Sequence, residues 1–183
     1  SVYDAVSGTI AATIAVGSNP SGVAVAGDGK VYVTNLGSNT VSVIDPANGN
    51  AVSTISNPGF AAPCGVAVAG DGKVYVTNLF STTVSVIDPA NGNAVTTISA
   101  SSFQNPHGVA VAGDGKVYVS NQGGSGTVSV IDPANGNSVT AILDPRFADS
   151  YSLAVAGDGK VYVSSMAGNA VSVIDTANGN SVT

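Results

Sequence analysis

The heptapeptide Gly-Asp-Gly-Lys-Val-Tyr-Val occurs four times in this chain, starting at Gly27, Gly70, Gly113 and Gly157, at intervals of 43, 43 and 44 residues. A second string, Val-Ser-Val-Ile-Asp, starts at Val41, Val84, Val128 and Val171 and keeps the same period. It runs on into Pro-Ala-Asn-Gly-Asn, except that Thr176 replaces the proline in the last copy. A period of this size is one supersecondary unit. Such a unit cannot bury both faces alone and must stack on its neighbours.

Each unit reads as four strands. In the first copy, strand A spans residues 22–26, and the Gly27-Asp28-Gly29 turn leads to strand B at 30–34. A polar loop leads to strand C at 40–44, and a turn at 45–50 leads to strand D at 51–55. The strands are short and β-branched, and no helical period appears. In the C–D turn, Pro46 presets φ, Asp45 accepts backbone N–H groups, and Asn48-Gly49 suits left-handed geometry. Radial stacking of four-stranded sheets solves the burial problem. Strand A, Val-Ala-Val-Ala in the first three copies, places small alanines where an innermost strand is crowded. The expected fold is therefore all-β, a four-bladed β-propeller of ~43-residue repeats. It forms a single domain over residues 1–183, with repeats at about 17–59, 60–102, 103–146 and 147–183.

The Tyr-Val-Thr-Asn strings at Tyr32 and Tyr75, and Tyr-Val-Ser-Asn at Tyr118, resemble the YVTN β-propeller repeat. The Gly-Val-Ala-Val, Gly-Asp-Gly-Lys and Val-Ser-Val-Ile-Asp segments are similar to it too, over nearly the whole chain. The fourth copy departs to Tyr162-Val-Ser-Ser165. The resemblance implies a prokaryotic surface-layer-like protein in an extracellular or cell-surface setting.

The two ends carry overlapping information. Residues 2–14 align with residues 43–55, the end of a strand C, a turn and a full strand D, while the chain stops early in its own last strand D. The segment 1–16, with Thr9, Ile10, Ala11, Ala12, Thr13, Ile14 and Val16 as the candidate assembly strand, is expected to complete the last blade. It can do so in its own ring or in a neighbouring chain, since a donated strand satisfies an open sheet edge.

Composition narrows the chemistry. There are 5 basic and 11 acidic residues, giving a net charge of −6. The acidic residues are all Asp, and there is one His and one Cys. Without a basic cluster, nucleic acid is not an expected partner. No apolar run reaches the ~20 residues of a membrane span. Cys64 stands alone, so no intramolecular disulfide forms. The chain begins at Ser1 with no charged-then-apolar leader, which reads as a processed or excerpted chain. The Asp-containing turns offer calcium few of the alternating ligands it requires and are read as turn caps.

One position varies in chemistry. Before strand A the units carry Ser21, Cys64, His107 and Tyr151, which would gather at one mouth of the ring. Cys64 and His107 fall short of a complete metal site. Phe60, Phe103 and Phe147 occupy the D–A loops, either plugging gaps between blades or forming a contact surface. These seven residues are the candidate binding face. The expectation is a non-enzymatic, self-associating structural protein without a cofactor, a cell-surface or filament building block with itself as partner. The alternative is an adhesion module for carbohydrate or another surface ligand.

Overall fold

The computed structural model describes residues 1–123 and 126–183. An N-terminal hairpin, β1 (Val2–Asp4) and β2 (Thr9–Ala12), precedes four antiparallel four-stranded sheets. The first contains β3 (Pro20–Val25), β4 (Val31–Asn35), β5 (Thr40–Asp45) and β6 (Ala51–Ser56). The second contains β7 (Pro63–Val68), β8 (Val74–Asn78), β9 (Thr83–Asp88) and β10 (Ala94–Ser99). The third contains β11 (Pro106–Val111), β12 (Val117–Asn121), β13 (Thr127–Asp132) and β14 (Ser138–Leu143). The fourth contains β15 (Ser150–Val155), β16 (Val161–Ser165), β17 (Ala170–Asp175) and β18 (Ser181–Val182). Strands pair in chain order within every sheet, so each unit is a simple meander.

The turns follow from local chemistry, with one difference from expectation. Asp45 accepts the Ala47 N–H and Pro46 opens a short 3-10 turn, which carries Asn48 through right-handed space. The left-handed residues are therefore Gly49 and Asn50, both at φ 62°, rather than Asn48 and Gly49. In the A–B turn the Lys30 ammonium lies 2.7 Å from Asp28, and the lysines of the other three units make the same pair.

The core sits between the sheets. Tyr32, Val41 and Val43 of the first sheet meet Phe60, Val74, Val76 and Ile87 of the second unit. Tyr75, Val84 and Val86 meet Phe103, Val117, Val119 and Ile131, and Tyr118, Val128 and Val130 meet Phe147, Val161, Val163 and Ile174. One seam is thus written three times.

The series stays open. β3 packs against β7, β7 against β11 and β11 against β15, and no such packing joins β15 back to β3 among the described residues. Completion of the last sheet by the N-terminal strand is not what this structure shows. β2 pairs with β1, and β17 pairs with the chain's own β18. The slot is taken because the C-terminus reaches it first along the chain, and Arg146 fixes it there with a 2.9 Å hydrogen bond to the Val182 carbonyl.

Candidate functional site

The structure brings the varying position together. Ser21, Cys64, His107 and Tyr151, each one residue before the glycine or serine that enters strand A, line one concave groove of about 300 Å³. The groove is the inner surface of the arc, walled by the innermost strand of all four sheets.

A serine or threonine hydroxyl holds each seam at this wall. Thr34 Oγ1 donates to the Cys64 carbonyl at 2.7 Å, Thr77 Oγ1 to the His107 carbonyl at 2.6 Å, and Ser120 Oγ to the Tyr151 carbonyl at 2.8 Å. The same oxygens accept the N–H groups of Gly22, Gly65 and Gly108 at 2.8 Å. The approach is close enough to require glycine. A Cβ on Gly65 would sit 2.3 Å from the His107 carbonyl oxygen. Sequence reasoning missed these hydroxyls, although the signal stood in the repeat itself. In Tyr-Val-Thr-Asn, the tyrosine fills the seam and the threonine bonds to the next sheet. The asparagine braces its own loop, as Asn78 does by donating to Ser85 and Thr83 at 3.0 Å.

Cys64 and His107 do not face each other as ligands. The Cys64 thiol is buried in the seam, 3.3 Å from Thr77 Oγ1 and 3.4 Å from the His107 backbone carbonyl, and burial pushes its pKa up. The His107 imidazole stacks on Tyr151 with ring centroids 3.9 Å apart. Its Nδ1 lies 3.1 Å from the Tyr151 carbonyl. A carbonyl only accepts, so Nδ1 carries the proton and Nε2 keeps a free lone pair. Burial pushes the imidazole pKa down, partly opposed by that hydrogen bond, which favours the neutral ring.

Phe60, Phe103 and Phe147 do not form a contact face: all three are buried in the seams. Their rings fill the gap where one sheet's D–A loop crosses the next. The B–C loops instead expose Phe80 and Met166. Of the N-terminal strand residues, Ile14 and Val16 lie beside Val23, Val31 and Ile44 of the first sheet, lining an apolar cleft of about 480 Å³. Thr9, Ile10, Ala11 and Ala12 form β2, and Thr13 follows it, 3.2 Å from Ser1 through their hydroxyls.

The two ends of the arc are bare versions of the interior seams. On the fourth sheet Tyr162 is 39% exposed and Val171 63%, against 1% or less for Tyr32, Tyr75 and Tyr118 and for Val41, Val84 and Val128. On the first sheet Val23 and Val25 are 68% and 67% exposed.

Comparison with known proteins agrees with a propeller-like architecture. Virginiamycin B lyase from Staphylococcus aureus superposes with a TM-score of 0.79 at 17% identity, over 90% of this chain and 54% of the lyase. Hydrazine synthase of Kuenenia stuttgartiensis superposes with a TM-score of 0.75 at 25% identity, over 94% and 51%. The chain thus spans about half the length of these structures. PE-PGRS family protein PE_PGRS18 of Mycobacterium tuberculosis is 52% identical over 40 residues, 22% of this chain and 9% of that protein.

These findings correct two expectations. A surface-layer or filament building block is expected from the near-identical repeats, the overlapping ends and the family resemblance, and a chain that is not an enzyme from a poor stock of catalytic residues. The solved neighbours include lyases, and the matching family is named for assembly of outer membrane protein. The fold hosts either role, and composition does not choose between them. The YVTN repeat itself stays a resemblance. The family profile that matches is described as outer membrane protein assembly factor BamB and covers residues 1–183, so this chain belongs to that family.

Proposed function

We propose that this chain is a polypeptide-binding scaffold of the assembly-factor kind, whose recognition surfaces are the apolar faces of its first and fourth sheets. The observation that carries this reading is the uncovered apolar surface at both ends, Val23 and Val25 on one and Tyr162 and Val171 on the other. Contiguous apolar surface of that kind marks a protein contact. The test uses an outer-membrane β-barrel polypeptide diluted from urea and labelled for anisotropy. Binding is expected, weakened about tenfold or more by Val25→Asp and by Val171→Asp. No binding, or binding that neither variant alters, contradicts the reading.

A second reading is favoured by the groove. His107 presents a neutral imidazole with Nε2 unbonded, the form of a general base. One neighbouring lyase structure is a catalytically inactive histidine-to-alanine form with quinupristin. On this reading His107 takes a proton from a substrate lying over Tyr151. Quinupristin breakdown, followed by mass spectrometry, is expected to be lost in His107→Gln. Because the pKa is pushed below the ordinary 6.5, the wild-type rate should hold at neutral pH and fall only on acidification below that value. Absence of turnover by the wild type, or turnover unchanged in His107→Gln, contradicts it.

A further inference from the structure

The face formed by the A–B and C–D turns repeats one arrangement at two interior seams. Between the first and second units, Asp28, Tyr32, Asp71, Pro89 and Ala90 line a cleft of about 490 Å³. Between the second and third, Asp71, Tyr75, Asp114, Pro133 and Ala134 line one of about 250 Å³. These are the same five positions of the repeat. Each cleft lies between two four-stranded sheets.

The floor of each cleft holds an unused donor. The rings of Tyr32 and Tyr75 are sealed in the seams, each residue being 1% exposed. Their hydroxyls are not enclosed, and they have no hydrogen-bond partner among the described residues. Tyr118, at the third seam, shows what such a hydroxyl takes. It donates to the amide oxygen of Asn180 at 3.1 Å. Burial first, and then the carboxylates of Asp28 and Asp71, push the Tyr32 and Tyr75 pKa values up, so both phenols stay protonated and donate. A donor so placed favours a ligand that brings it an amide or carbonyl oxygen.

Charge adds a second requirement. Each unit sets two aspartates and one lysine on this face. The A–B turn aspartate pairs with the lysine at 2.6–2.9 Å. The C–D turn aspartates Asp45, Asp88, Asp132 and Asp175 each accept an N–H of their own turn. No cation lies within ion-pair distance of them among the described residues. One carboxylate per unit is thus left without its own cation. Asp132 lines the cleft that Tyr75 floors, and Asp88 directly precedes Pro89 of the other. The proline-alanine pairs beside these carboxylates give each cleft an apolar wall.

We propose that the two clefts bind a basic polypeptide segment. A backbone carbonyl of the segment accepts the hydroxyl of Tyr32 or Tyr75. A lysine or arginine beside it lays its aliphatic stem on the proline-alanine wall and brings its cation to Asp88 or Asp132. A free polyamine supplies the cation but no acceptor for the tyrosine. A neutral oligosaccharide supplies acceptors but leaves the excess carboxylate unmatched. The charged partners stay partly in water, so one cleft binds weakly and salt weakens it further.

This surface is separate from the apolar faces of the scaffold reading, and the two are tested apart. The probe is a fluorescein-labelled peptide of alternating lysine and alanine, titrated with the full chain at low salt and followed by anisotropy. Binding is expected, and the matching peptide of glutamate and alanine should not bind. Tyr32→Phe with Tyr75→Phe should weaken binding about fivefold. Its melting temperature should stay at the wild-type value, because the lost hydroxyls bond to nothing in the fold. Asp88→Asn with Asp132→Asn keeps both turn caps and should also weaken binding about fivefold. Asp149→Asn removes a charge at the opposite end of the strands and should leave binding unchanged. Failure of the wild type to bind overturns the proposal, as does binding that the tyrosine variant does not alter. Equal weakening per charge by Asp149→Asn overturns it too, since net charge alone then attracts the peptide. Displacement of the peptide by spermine at equal charge has the same force, since the ammonium group then suffices. Loss of the lysine peptide from the tyrosine variant, with the β-barrel polypeptide still bound, assigns the clefts and leaves the scaffold reading standing.

Discussion

Gly65→Ala is expected to lower the melting temperature by about 10 °C. The Cβ would lie 2.3 Å from the His107 carbonyl oxygen and 2.8 Å from Thr77 Oγ1. One neighbour is backbone, held in a paired strand, so it cannot swing aside. The second and third sheets must separate at their tightest point. That breaks the 2.6 Å bond from Thr77 to His107 and loosens the 2.8 Å bond from Gly65 to Thr77. Overpacking costs about 1–3 kcal/mol. Leaving a buried hydroxyl or carbonyl unpaired adds about 1–3 kcal/mol. At ~2–4 °C per kcal/mol for a chain of this size, the two contributions together centre on a shift of that size. Gly27→Ala is the control. Nothing lies within 4 Å of its Cβ and its φ is not left-handed, so thermal denaturation should place it within about 0.5 kcal/mol of wild type. Equal shifts for the two variants would show that the seam is not set by that contact.

The parts of the fold that are legible in the sequence are those determined within one unit. Strand A expected at residues 22–26 is β3 at Pro20–Val25, and strand D expected at 51–55 is β6 at Ala51–Ser56. Alternation of β-branched residues between turn signals fixes these positions locally. The C–D turn is off by one residue at Asn48 because an aspartate cap and a proline together start a 3-10 turn. The asparagine-glycine pair alone does not reveal that. What lies between units is harder to read. The phenylalanines of the D–A loops suit a plug between blades better than a contact face, and their burial in the seams decides for the plug. The role of Thr77 depends on a carbonyl 30 residues away. The groove set Ser21, Cys64, His107 and Tyr151 was found because one position varied against a constant background. What each side chain does there was not legible, since the Cys64 thiol turns into the seam while His107 turns to Tyr151. Closure was the least legible of all. The two ends have equivalent sequences, and the one that fills the slot is decided by connectivity and by Arg146, not by strand propensity.

The central claim is that a single copy of this chain is an arc with uncovered end faces. Tyrosine nitration, read residue by residue by mass spectrometry at a dilution that keeps the protein monomeric, tests it most directly. The chain has 6 tyrosines. Tyr32, Tyr75 and Tyr118 occupy the three interior seams and are 1% exposed, so they react only through opening of the structure. Tyr162 occupies the identical place in the repeat and differs only in having no following sheet. Tyr162 is therefore expected to be nitrated about tenfold or more faster than those three, and to react alongside the exposed Tyr3 and Tyr151. Protection of Tyr162 equal to that of Tyr75 in the monomer would mean that the chain closes on itself, and the account of its ends would be wrong.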